Sequence, residues 1–271
     1  MSSPAVASST AGRRDQRGDE RRTGLRGVFV VVAFWWLTTG VLLVAQRSTA
    51  TRVVALVVAS MLAIVGAEWI RQSRCDLTAS GVTRSFFGGA LLWFWVATLL
   101  YGGWVVGVSG GEIAEGISRA ALAGRAIAAT LFNDLLGLAT LGVAGVLTRG
   151  GGNRAGAWSI LTFWCSHQLA KLNVFAGVAN PGTEFLPPYL HHLERYFGPP
   201  SNSALLPISV VLLLATALGF GFSAARETVM WRRRQAILLA SLIGLAALEH
   251  MLLGVTLSGT LWDVFLSHAR G

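Results

Sequence analysis

Seven separate apolar stretches, each close to twenty residues long, constrain this chain more than any other feature. They cover residues 25–45, 53–70, 86–108, 122–147, 156–177, 204–222 and 236–257. A helix rises about 1.5 Å per residue and a bilayer's hydrocarbon core is about 30 Å thick, so roughly 20 apolar residues cross it. Membrane-spanning strands would instead alternate apolar and polar residues in repeating segments, and no such repeat is present. The expected fold is therefore all-α: a polytopic integral membrane bundle of about seven transmembrane helices. Composition agrees, with 53% hydrophobic and only 13% charged residues.

The charges collect between the stretches, which makes them topology signals. Arg13, Arg14, Arg17, Arg21, Arg22 and Arg26 precede the first span. With Arg71, Arg74, Arg84, Arg149, Arg154, Arg226 and Arg232 to Arg234, they put fifteen cations on one side. The other side has five: Arg47, Arg52, Arg119, Arg195 and Arg270. Positive loops stay inside, so the N-terminus is expected in the cytoplasm and the C-terminus in the periplasm. The same pattern argues against nucleic acid as the reason for the net charge of +9. Residues 1–24 read as a disordered, Arg-rich cytoplasmic tail, 109–111 and 150–152 as Gly-rich linkers, and 258–271 as a short periplasmic tail. Residues 178–203, rich in Pro, Asn and aromatics, read as an ordered periplasmic cap with Tyr189, Tyr196 and Phe197 at the membrane surface.

Ionisable groups inside a bilayer are expensive and call for a partner or a task. Lys171 follows His167 by four residues, on one face of the fifth stretch. Glu249 and His250 lie in the external half of the seventh, and Arg125 opens the fourth at the same level. One reading is a polar pocket under the cap, able to hold an anionic or metal-bearing ligand, or to ligate the magnesium of a bacteriochlorophyll through a neutral imidazole. The other is structural: a Lys171–Glu249 or Arg125–Glu249 ion pair, with the histidines as hydrogen-bonded links between helices. Asp134, beside Asn133, is expected deeper, near mid-membrane, as a proton relay or a helix-pairing group. Glu68 and Arg71 should form a local pair. Gly103 and Gly107 have the spacing of a helix-packing motif, weakly diagnostic among 32 glycines. His191, His192 and Glu194 read as surface residues of the cap. Cys75 and Cys165 lack metal or redox spacing. No phosphate-binding loop, nucleophile elbow, metalloprotease or haem-attachment motif is present.

The run from His167 to Val178, with Lys171 and Asn173, followed by Asn180 and Thr183-Glu184-Phe185-Leu186-Pro187, is more specific than any of these. With Leu193 to Pro200, Trp35 to Gly40 and Leu248-Glu249-His250, it resembles the photosynthetic complex assembly protein 2 family, the PuhE-like proteins of phototrophic bacteria. The resemblance spans nearly the whole chain after residue 27. It implies an inner-membrane protein that helps reaction-centre and light-harvesting complexes assemble, with effects on bacteriochlorophyll supply. Its shared positions map to Lys171, Asn173, Asn180, Glu184, Glu249 and His250, and it brings no catalytic residues. His-Glu pairs that relatives carry in the third and fourth spans are replaced here by Val96-Ala97 and Asn133-Asp134, marking a divergent member. The expected function is a non-enzymatic assembly factor or accessory subunit that contacts lipid, reaction-centre and light-harvesting subunits and (bacterio)chlorophyll. Two alternatives stand beside it: a membrane enzyme of pigment biosynthesis using Glu249, His250 and His167, and a small transporter coupled through Lys171 and Glu249.

Overall fold

The computed structural model describes residues 4–108 and 116–255, with side chains described from Leu25 onward, Arg119 excepted. Among the described residues eight helices follow one another: α1 (Pro4–Ala45), α2 (Thr49–Ser73), α3 (Ala79–Tyr101), α4 (Arg119–Ala128), α5 (Leu131–Leu147), α6 (Ala155–Ala176), α7 (Leu205–Arg226) and α8 (Met230–Leu253). Two 3-10 turns, Thr183–Phe185 and Pro188–Tyr196, stand between α6 and α7. No strand occurs among the described residues. The 109–111 linker and the 258–271 tail lie outside the described residues, and the 1–24 tail is described only as helical backbone from Pro4.

Among the described residues five helices are long and apolar enough to cross a membrane: Leu25–Ala45 of α1, then α2, α3, α7 and α8. A sixth span results if α4 and α5 are taken together. Helix α6 is 22 residues long, but His167, Gln168, Lys171 and Asn173 dilute its apolar character.

Two expected boundaries are corrected. The third span begins seven residues earlier than its apolar run, because the Thr78 side chain caps the helix by accepting the Gly81 N–H. Asp76 in turn accepts from the Thr78 hydroxyl (2.7 Å) and amide (3.0 Å), and these bonds hold its carboxyl below the usual range. The same helix stops at Gly102 because Gly103 takes a φ of 73°, open to glycine at little cost. The fourth span is not one straight helix: α4 and α5 meet at 60°. A break exposes backbone groups that must find partners where water is scarce. The segment after α3 supplies them, with Val108 N–H donating to Ala128 O (2.8 Å) and Asn133 N–H to Val106 O (3.0 Å).

Helix α3 is the hub. Of its most apolar window 61% is buried, against 17% for the windows of α1 and α7. It meets α2 and α6 at glycines: a Cβ on Gly66 would lie 2.6 Å from Gly88 O, and one on Gly89 only 2.3 Å from Gly156 O. Small residues allow backbones to approach this closely. Away from the cap, Val31, Val82, Phe86, Leu238, Leu239 and Leu242 pack α1, α3 and α8 together.

At the other end the cap is ordered, and its aromatics pack inward against the helices. Tyr196 is 3% exposed and packs with Leu190, Leu193 and Ala126. Tyr189 donates its hydroxyl to Tyr101 O (2.5 Å), and the Arg52 guanidinium lies 4.3 Å over its ring while bonding Gly102 O (3.1 Å). Burial pushes the Tyr189 phenol up, with Arg52 acting in the opposite sense. Tyr189→Phe removes one hydrogen bond of this latch, a loss of about 1 kcal/mol. Faster protease cleavage within 178–203, with the bundle intact, is the expected result.

A candidate ligand cavity beneath the cap

Between the core at one end and the cap at the other, the bundle holds a partly open cavity of about 440 Å3 walled by α1, α3, the start of α5, α6, α8 and the cap. Trp93 stacks on Phe163 (5.8 Å between ring centres, 8° between planes) and meets the His167 ring edge-on at 5.7 Å. These three groups, with Trp35 and Glu249, belong to its wall.

Glu249 points to the cavity, where it is exposed, and its Oε1 accepts from Trp35 Nε1 at 2.5 Å. The residue therefore fastens α8 to α1 and still presents a carboxylate to whatever occupies the space. Neither sequence-level ion pair with Glu249 forms. Lys171, also on the cavity wall, pairs instead with Asp134 of α5. Both side chains are about nine-tenths buried. Thr130 Oγ1 accepts from Lys171 (3.0 Å) and donates to Asp134 (3.1 Å), while Gln168 Nε2 donates to the other Asp134 oxygen (2.8 Å). The ion pair is thus enclosed in hydrogen bonds, the condition under which a buried pair is tolerated.

Asp134 was expected near mid-membrane, as a proton relay or a helix-pairing group; it does pair across helices, with Lys171 of α6, but not at that depth. The bend between α4 and α5 corrects this: Asp134 falls in the first turn of α5, and Lys171 stands five residues before the end of α6. Both therefore lie toward the cap end of their helices. The i,i+4 spacing of Thr130 and Asp134 was the available signal, because it places a hydroxyl over the carboxylate. Trp35 entered the sequence reading only through the family resemblance, with no site role, and Gln46 did not enter it. The amide nitrogen of Gln46, on the cavity wall, is buried without a hydrogen-bond partner.

The remaining candidates disperse. His250 is 1% exposed, its Nδ1 bonded to Ala246 O (2.7 Å) and its Nε2 without a partner, and it does not line the cavity. Asn173 faces α7, donating to Ser209 Oγ (2.9 Å). Half-buried Arg125 of α4 and half-buried Glu184 of the first 3-10 turn lie off the cavity wall. Asn180 does line it, and fastens the cap by donating its amide to Leu253 O (2.9 Å) and its side chain to Leu252 O (3.3 Å). The cap thereby supplies partners for the last carbonyls of α8, which a helix end leaves open. Exposed His191 approaches Glu194 at 4.0 Å on the cap surface, and Arg71 binds Glu68 through two bonds of 2.6 and 2.7 Å, both as expected. Among the described residues, no three His, Cys, Asp or Glu side chains come together as ligands for a metal ion.

The chain is 28% identical over 232 residues to a Rhodobacter capsulatus protein named "Uncharacterized 30.4 kDa protein in puhA 5'region", covering 80% of this chain and 81% of that one. No solved structure matches it. A family model matches residues 23–270, nearly the full length, and the chain belongs to that family, described as "Protein of unknown function (DUF3623)".

Proposed function

We propose that the protein is a non-enzymatic accessory or assembly protein of the bacterial photosynthetic apparatus. It works in the inner membrane beside reaction-centre and light-harvesting subunits and contacts (bacterio)chlorophyll at the cavity. The observation that carries this reading is the relative in the puhA 5' region. That puh designation is shared with the PuhE-like proteins that the His167–Pro187 segment resembles. The cavity adds a place for an apolar molecule, its volume within the about 300–1,000 Å3 of small-molecule sites.

The topology proposed with it has seven spans: the five apolar helices, the bent α4–α5 pair, and α6, whose polar residues turn toward neighbouring helices. The excess of arginine on one set of loops supports a cytoplasmic N-terminus.

Deletion of the gene in a phototrophic host tests the reading. Reaction-centre and light-harvesting absorption should fall, and a plasmid copy of the wild type or of His192→Ala should restore it. Glu249→Gln, which keeps the residue's shape and changes its charge, should restore it only in part. Normal accumulation of both complexes in the deletion strain would dismiss the proposal.

A further inference from the structure

We infer that the cavity binds an uncharged molecule made of a carbonyl-bearing ring and a long hydrocarbon tail. This rests on the cavity being a ligand site, as proposed above, and names what it selects.

Shape is the first ground. The wall runs from Phe34 to Gln46 on α1 and from Phe163 to Phe175 on α6. Each stretch advances twelve residues, roughly 18 Å at about 1.5 Å per residue. A space that long with a volume of about 440 Å3 is narrow. It accommodates a ring followed by a chain, not a bulky polar head.

Charge is the second. Among the described residues, Lys171 is the only lysine or arginine on the wall, and Asp134 already neutralises it. Glu249 is the wall's carboxylate, and its partner is the neutral Trp35 indole. A fatty-acid carboxylate or a lipid phosphate would therefore meet a second acidic group, with no free cation among the described wall residues to answer it.

Hydrogen bonding is the third. The Gln46 amide nitrogen is a donor with no acceptor. The Nε2 of His167 is likewise unpartnered, and it is a second donor in the tautomer that carries its proton there. Unmet donors in a water-poor site cost free energy, and a carbonyl oxygen answers them. A cationic ligand would suit Glu249 but leave the Gln46 donor unmet. The aromatic faces of Trp93, Phe163 and Phe34 offer stacking surface for a flat ring.

Two sources share this chemistry: a tailed benzoquinone from the membrane pool, which fits the space whole, and a chlorophyll-type pigment, which would place its long ester tail and a carbonyl-bearing ring edge there with the rest of its wider macrocycle outside. Full-length protein in detergent would be titrated with decylubiquinone and, separately, with bacteriochlorophyll a. Quenching of tryptophan fluorescence is the readout, since Trp35 and Trp93 line the cavity. Saturable quenching by either compound supports the inference, and the tighter one identifies the source.

Ala97→Trp fills the cavity and should weaken binding about tenfold or more. Gln46→Leu keeps its shape but loses a donor, and should weaken binding about fivefold, the loss of roughly one hydrogen bond. The second variant preserves the test if the first does not fold. The inference is overturned if neither compound saturates, if both variants bind like the wild type, or if oleate or dodecyltrimethylammonium displaces the probe. Any of these outcomes leaves the accumulation phenotype of the deletion strain as a separate question.

Discussion

Lys171→Met should be among the most damaging single substitutions in the bundle, and Asp134→Asn in the same chain should undo most of the damage. The single change removes the cation and leaves the Asp134 carboxylate nine-tenths buried between α5 and α6. Breaking one side of a buried pair costs about 3–5 kcal/mol, because the remaining charge has neither water nor counter-ion. Thr130 and Gln168 still donate to the carboxylate, which favours the lower part of that range. For a chain of this size the loss corresponds to a fall in melting temperature of roughly 6–20 °C.

In the double variant the side chain at position 134 is a neutral amide whose oxygen can still accept a hydrogen bond from Gln168 or Thr130, so the desolvation cost of an unpaired charge disappears. Unfolding in mild detergent, followed by the temperature at which monodisperse protein is lost, separates the cases. If the double variant is as unstable as the single one, charge compensation is not what Lys171 provides. Lys171 also lines the cavity, so a folded double variant with altered ligand affinity would show that the residue serves both purposes.

What was legible in the sequence follows from the range of the forces involved. Apolar length is a local property with one physical meaning in a bilayer, so the helices were found where the stretches predicted them. Boundaries depend on single groups that such a count ignores. The Thr78 cap and the turn at Gly103 moved α3 by seven residues, and no proline announces the bend between α4 and α5. That bend explains the principal miss at the site. A straight fourth span places Asp134 deep and far from Lys171, whereas a broken one lifts it to the level at which Lys171 waits. Glu249 and His167 were marked as polar groups needing an account, because the cost of placing them in a bilayer is local. Their surroundings are not local: Trp35 reaches Glu249 across 214 positions of sequence. The Gly103–Gly107 spacing failed as a packing motif for a different reason. Both glycines lie beyond the end of α3, one against the Tyr189 ring and the other against the carbonyls of Ala128 and Ala129.

The glycines that do bring helices together lead to the second large effect, Gly89→Leu. Gly89 faces Gly156, and even a methyl group there would stand 2.3 Å from Gly156 O and 3.0 Å from its carbonyl carbon. Those are backbone atoms, so no rotamer change relieves the clash, and α3 and α6 must separate. Overpacking of this kind costs about 1–3 kcal/mol for a small group. Gly89→Ala should sit near the top of that range, and a leucine should prevent the bundle from closing. The helices cannot part without moving Trp93 off Phe163 and His167, so Gly89→Ala should also weaken ligand binding in protein that still folds. Gly219 of α7, whose added Cβ would meet nothing within 4 Å, is the control. Gly219→Ala should be neutral or stabilise by up to about 1 kcal/mol through helix propensity alone. Membrane-inserted, protease-resistant protein is the quantity to compare. Equal yields of Gly89→Leu and Gly219→Ala would mean that α3 and α6 do not pack through this glycine contact, and the cavity wall they share would lose its support.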